Sequence, residues 1–242
     1  MRAIIDERVS RFSVEPIRGQ WELLWLDKIC LKVKEEQAAK DAVVLIAVGC
    51  NSHGQAKMLG FKLGECQAEV FSIAFLRELG GRGLQDIELL ISDTSPSIGE
   101  VTAKEINAQW RHFHVDFIRG ALAHAAGYRR LVKIGIQASL AQETPDEAVR
   151  EWQRFRQRVH ADAPGLAERM MNAESDVRLC MSIQRQLRIH LHSTDMLEQL
   201  HTTVERRAPA SGVFANKPAI IRLIGSILLD QDDQWMLGRR AY

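Results

Sequence analysis

Residues Leu23 to Val33 alternate with a period of two, which sets Leu23, Trp25, Asp27, Ile29, Leu31 and Val33 on one face of a β-strand. That face is the one a strand buries, and Asp27 lies in the middle of it. A second run, Ile87 to Asp93, carries Ile87, Leu89 and Ile91 on alternate positions and ends its apolar face on Asp93. An ionised carboxylate on a core face is costly unless a cation or hydrogen-bond donors compensate it. Two of them in one chain point to a divalent-metal site. The bland alternatives are a slip in register that turns Asp27 to solvent, and a turn-opening role for Asp93 beside Ser95 and Pro96.

The order of elements around these acids narrows the fold. After the Asp27 strand, DAVVLIAVGCNSHGQAKMLGFKLGE reads as a hairpin turning at Asn51–Gly54. Val70, Ile73, Ala74, Leu76 and Leu79 then recur at helical spacing, and Gly80, Gly81 and Gly83 stop the helix. The Asp93 strand follows, and Pro96 opens a further helix from Ser97 to Ile106. The sequence therefore predicts β-β-β-α-β-α. From about Asp116 to His192 the pattern is helical, with Thr144 as N-cap, Pro145 at N1, Glu147 at N3, and a break at Pro164 and Gly165. Thr194 and Asp195 cap a helix that carries Leu197, Leu200 and Val204 on one face, with Glu198 by itself reading as the partner of Asp195 in a capping box, and a last amphipathic helix spans Pro218 to Met236.

Composition excludes more than it selects. With 242 residues, 46% hydrophobic and 26% charged, the chain can bury a sizeable core, so disorder is excluded. A formal charge of +1 gives no global footprint for nucleic acid, so any such contact must come from local basic groups. Cys30, Cys50, Cys66 and Cys180 form no C-x-x-C pair and read as buried thiols of a reducing cytoplasm. The N-terminus, MRAIIDERVSRF, lacks the core of a signal peptide, and the longest apolar stretches, Ala42 to Cys50 and Ala219 to Leu229, are too short for a membrane span. The expected location is cytoplasmic.

Four segments carry a more specific resemblance. They are LLWLDKICLKVKE, the block from VLIAVGC to LISD, the tryptophan-containing QWRHFHVDFIRG, and STDMLEQLHTTVERRAPASGVFANKPAIIRLIGSILLDQDDQW. In collinear order across nearly the whole chain, these resemble the catalytic region of Mutator-type bacterial insertion-sequence DDE transposases. The LD strand, the ISD strand, the T-N-x-x-E-R-x-N-like helix and the G-x-F-x-N loop carry the match.

That resemblance implies an α/β, ribonuclease H-like core of β-β-β-α-β-α order with an all-helical insertion before the last catalytic helix. It divides the chain into core residues 1–112, insertion 113–192 and completing helices 193–242. It also implies Asp27, Asp93 and Glu198 as catalytic acids holding two Mg²⁺ or Mn²⁺ ions, Asp27 bridging both, Asp93 on one and Glu198 on the other. Ions about 3.5 to 4 Å apart assist in-line displacement at phosphorus, and carboxylates are the hard oxygen ligands they take. The implied reaction cuts DNA at terminal inverted repeats, after which the freed 3′-hydroxyl attacks target DNA; a homo-oligomer and no membrane are implied partners. Arg206 and Arg207, further along the same helix than Glu198, are the candidate DNA contacts. Arg150, Arg154, Arg156 and Arg158, with Trp152 and Phe155 interleaved, read equally well as a solvated face over an aromatic stripe.

Several positions depart from the family pattern. Phe113 and Asp116 stand where a C-x-x-H motif follows the tryptophan matching Trp110, with His112 and His114 out of register. Gln199 replaces the arginine after the glutamate, His201 the downstream asparagine, and Thr194–Asp195 the usual T-N. MRAIIDERVSRF matches the segment leading into the catalytic core, so the reading is of a copy truncated before its DNA-reading domain. The alternative is a catalytically impaired remnant that only binds DNA or an intact transposase. A third reading, a junction resolvase or RNA·DNA hybrid nuclease, is disfavoured by the long helical insertion.

Overall fold

The computed structural model describes residues 2–35, 38–65, 69–92, 104–112, 129–172, 174–181, 185 and 195–240. Helix α1 (Arg2–Val14) precedes three long strands, β1 (Leu23–Glu35), β2 (Ala38–Cys50) and β3 (Ala56–Glu65). Helix α2 (Glu69–Gly81), β4 (Leu89–Ser92) and β5 (Gln109–His112) follow. Then come α3 (Arg129–Leu140), α4 (Pro145–His160), α5 (Pro164–Asn172), α6 (Glu174–Cys180), α7 (Asp195–Arg207), β6 (Val213–Phe214) and α8 (Lys217–Arg240). The fold is mixed α/β, in two compact units: Met1–His112 with Met196–Tyr242, and Phe113–Asp195.

In the first unit the sheet order is β3-β2-β1-β4-β5, with β6 also paired to β1. The β1–β2 and β2–β3 pairs are antiparallel, and β1–β4 and β4–β5 are parallel. The central strand β1 is buried without interruption from Leu23 to Asp27, as a strand covered on both faces must be, and alternates only further along. On one face Leu24 and Leu26 join Val43, Leu45, Ala47, Leu59 and Leu90 under Phe75, Leu76 and Leu79 of α2. Gly64 makes room there, since a Cβ on it would lie 2.5 Å from the Phe71 ring.

The opposite face carries Leu23, Trp25, Asp27 and Ile29 of β1, with Val44 and Ile46 of β2. Helices α1 and α8 cover its β3 side: Phe12 stacks with Phe61 at 6.4 Å, and Asp232 of α8 accepts a 2.9 Å hydrogen bond from the Met58 amide of β3. The two helices cross at Gly225, where a Cβ would meet Val9 at 2.6 Å, and Arg222 clamps Asp6 through two bonds of 2.6 and 2.8 Å. At the far end of β1, Glu35 pairs with Lys217 at 2.8 Å and Lys40 at 3.1 Å. Those two ammonium groups, Lys217 foremost, hold its carboxyl below the usual range.

The second unit is helical throughout its described residues. Trp152, fully buried, donates from its indole to the Met170 carbonyl at 2.7 Å. Phe155 packs so closely on α3 that a Cβ on Gly135 would fall 2.4 Å from its ring. The aromatic stripe of α4 is therefore core, and two of its four arginines are paired, Arg154 with Glu151 and Arg156 with Glu174. Helix α4 starts as its sequence predicts. Thr144 Oγ1 accepts from the Glu147 amide at 3.2 Å, and Glu147 Oε2 accepts from the Thr144 amide at 3.2 Å. Replacing Thr144 with alanine is expected to lower stability by about 1 kcal/mol, read from urea unfolding, whereas Thr144→Ser should leave it nearly unchanged.

Three expectations need correction. Cys30 is exposed rather than buried, on the stretch of β1 past Leu26 where β4 no longer pairs with it; Cys50 and Cys180 are buried. The Asp93 strand is shorter than its apolar run, with β4 beginning at Leu89, and the polar tetrapeptide Gln109–His112 forms a further strand beside it. The exposed positions on α2 include Val70 and Ala74, while Phe75 joins the buried stripe. Cys66, Asp93, Phe113, Asp116 and most of the helix expected over Ser97 to Ile106 lie outside the described residues.

Candidate active site

Asp27 sits where the central strand changes neighbours. On one side its partner is Ile46 of β2; on the other, β4 pairs with Leu23–Leu26 and β6 with Lys32–Val33, so Asp27 lies between the two parallel pairings. In sheets with parallel strands, the crevice beyond the carboxyl ends of the strands is where ligands collect. The carboxylate is 3% exposed among Trp25, Ile29 and Ile46, all buried. Such burial demands a compensating partner.

Part of that compensation comes from α7. Its apolar stripe, Leu200 and Val204, is buried, and the next residue round the helix, His201, is only partly exposed. His201 Nε2 lies 2.5 Å from Asp27 Oδ2, a hydrogen-bonding contact in which the place of the proton follows from the imidazole tautomer. From the sequence alone His201 stands out only as a departure at an asparagine position. Its signal, an imidazole one turn after Glu198, was present but its partner was not readable.

The other expected site residues are reached only in part. Ser92, the residue before Asp93, is the last of β4 and pairs with Leu26, the residue before Asp27. Asp93 itself lies outside the described residues. Glu198 is the fourth residue of α7, and its backbone lies one turn before His201; its side chain is not among those described. Arg206 and Arg207 are exposed in the last turn of α7, and Arg207 pairs with Asp230 of α8 at 3.6 Å. Among the described residues no group of three or more His, Cys, Asp or Glu side chains is arranged to hold a metal ion. The donor set in view, a buried carboxylate oxygen with an imidazole nitrogen beside it, is still of a kind that divalent ions accept. Also among the described residues, no helix is long and apolar enough to cross a membrane.

Comparison with known proteins gives the context for this geometry. Residues 1–238 match the family described as "Transposase, Mutator family". The chain is 27% identical over 239 residues to the transposase for insertion sequence element IS1081 of Mycobacterium tuberculosis, covering 98% of this chain and 58% of that protein. It is 28% identical over 240 residues to the transposase for IS406 of Burkholderia multivorans, covering 98% and 62%. To the transposase for IS256 in transposon Tn4001 of Staphylococcus aureus it is 26% identical over 252 residues, covering 95% and 62%. The chain thus spans about three-fifths of the length of these relatives.

Proposed function

We propose, from the premise that this chain belongs to the Mutator family of transposases, that it carries a DDE-type centre for DNA cleavage and strand transfer built around Asp27. The observation that carries the reading is a carboxylate buried on the central strand of a β3-β2-β1-β4-β5 sheet, at the point where a parallel neighbour ends. Three antiparallel strands followed by parallel ones in that order support a ribonuclease H-like core, with the helices between β5 and α7 as its insertion.

Asp27, Asp93 and Glu198 are the residues that would hold two Mg²⁺ or Mn²⁺ ions. Such ions, when bound, neutralise charge developing at the phosphorus and make water and the 3′-hydroxyl better nucleophiles. The chain's own contribution is positional. β1 fixes Asp27 in a dry wall, where a carboxylate holds its place without the entropy loss of an exposed side chain. Helix α7 carries residue 198 one turn before His201, and Arg206 and Arg207 in its last turn are the candidate phosphate contacts. The substrate class is DNA bearing an element's terminal inverted repeats, with target DNA as acceptor and a second copy of the chain as partner.

The test uses labelled terminal-repeat DNA incubated with the purified chain and Mg²⁺ or Mn²⁺. Metal-dependent nicking at the element end is the expected result. Salt-sensitive retention of DNA without cutting would overturn it and identify the remnant that only binds DNA.

A further inference from the structure

We propose that His201 is itself a metal ligand at the Asp27 centre, supplying an imidazole nitrogen that turns the centre's preference from Mg²⁺ toward Mn²⁺. The inference rests on the reading of Asp27 as a metal-binding acid and adds a donor to it. Two independent placements carry it. The first is the contact itself: of the two ring nitrogens, Nε2 is the one turned to Asp27, 2.5 Å from Oδ2. In an octahedral shell with bonds of about 2.1 Å, neighbouring donors sit about 3 Å apart. An ion shared by these two atoms therefore requires them to part by only about half an ångström. The His201 side chain is 20% exposed, against 3% for Asp27 on the central strand.

The second placement is along α7. Residues 198 to 201 read Glu-Gln-Leu-His, and an acid and an imidazole at i and i+3 fall on one side of a helix. The same Glu-x-x-His spacing lets single helices in di-iron and di-manganese carboxylate bundles offer an oxygen and a nitrogen to one metal pair.

The donor type sets the consequence. Mg²⁺ keeps to oxygen ligands and parts with water reluctantly, whereas imidazole suits first-row transition ions. A centre with one nitrogen among its oxygens gains more with Mn²⁺ than with Mg²⁺. Loss of even an outer-shell partner weakens metal affinity by about tenfold or more, so loss of a donor should cost at least that.

The experiment titrates the full chain with MnCl₂ and separately with MgCl₂, by calorimetry, for the parent, His201→Asn and Asp27→Asn. Pulsed electron paramagnetic resonance of the Mn²⁺-loaded parent reads nitrogen coupling directly and needs no variant. Expected are a histidine nitrogen coupling that disappears in His201→Asn, and Mn²⁺ affinity that falls about tenfold in that variant while Mg²⁺ affinity falls much less. Mn²⁺ binding that depends on Asp27 but shows no nitrogen coupling, or that is as tight or tighter in His201→Asn, would overturn the His201 proposal and leave the acid centre standing. Binding indifferent to Asp27→Asn would overturn both.

Discussion

An Asp27→Asn chain is expected to lose metal-dependent DNA cleavage by about a thousandfold or more, while its folded stability in metal-free buffer stays within about 1 kcal/mol of the parent or rises. The two effects part because the same burial acts on them in opposite senses. Asparagine fills the same volume between Trp25 and Ile29, so no cavity opens, and its amide still offers His201 a hydrogen-bonding partner. Removing the charge relieves the desolvation that a 3%-exposed carboxylate suffers. A centre meant for cations, by contrast, loses its charged ligand outright. Nicking rates on terminal-repeat DNA and thermal melting of the same preparations check both halves. A variant that cuts at the parental rate would show that Asp27 is an ordinary core acid. One that cuts poorly only because it melts far below the parent would assign it a structural role.

What could be read from the residues alone follows from how local each signal is. The alternation around Asp27 is a property of one strand, and the burial of that face is what the alternation demanded. The hairpin of β2 and β3 and the capping box at Thr144 were equally local, each fixed by residues within a few positions of one another. Features that depend on what lies across the fold were not readable. Alternation alone does not distinguish a half-buried strand from a central one, so neither the doubly covered start of β1 nor the exposure of Cys30 near its far end could be foreseen. Strand β5 has four residues, Gln-Trp-Arg-His, too few and too polar to carry a period; its pairing with β4 makes it a strand. The bond from His201 to Asp27 spans 174 positions, and nothing near either residue announces it. For the acids expected to complete the site, the described structure brings the chain as far as Ser92 and the backbone of Glu198.

In the helical unit, Trp152→Ala is expected to cost about 3–5 kcal/mol, among the largest effects for a single substitution in this chain. The indole is fully buried at the contact of α4 with α5, so alanine leaves a cavity that surrounding helices fill only in part. It also deprives the Met170 carbonyl of its 2.7 Å donor, adding about 1 kcal/mol or more for a buried acceptor left to find another partner. Trp152→Phe separates the two contributions: it keeps most of the apolar volume and loses the donor, so its loss should be well under half that of alanine. Hydrogen exchange resolves where the damage falls. Amides of α3 to α6 should lose protection, and those of β1 to β3, which belong to the other compact unit, should keep theirs. Uniform loss across both units would mean that they unfold as a single cooperative body. A loss below about 1 kcal/mol would mean that the site collapses around the missing ring, against the tight packing that places Phe155 within a Cβ's reach of Gly135.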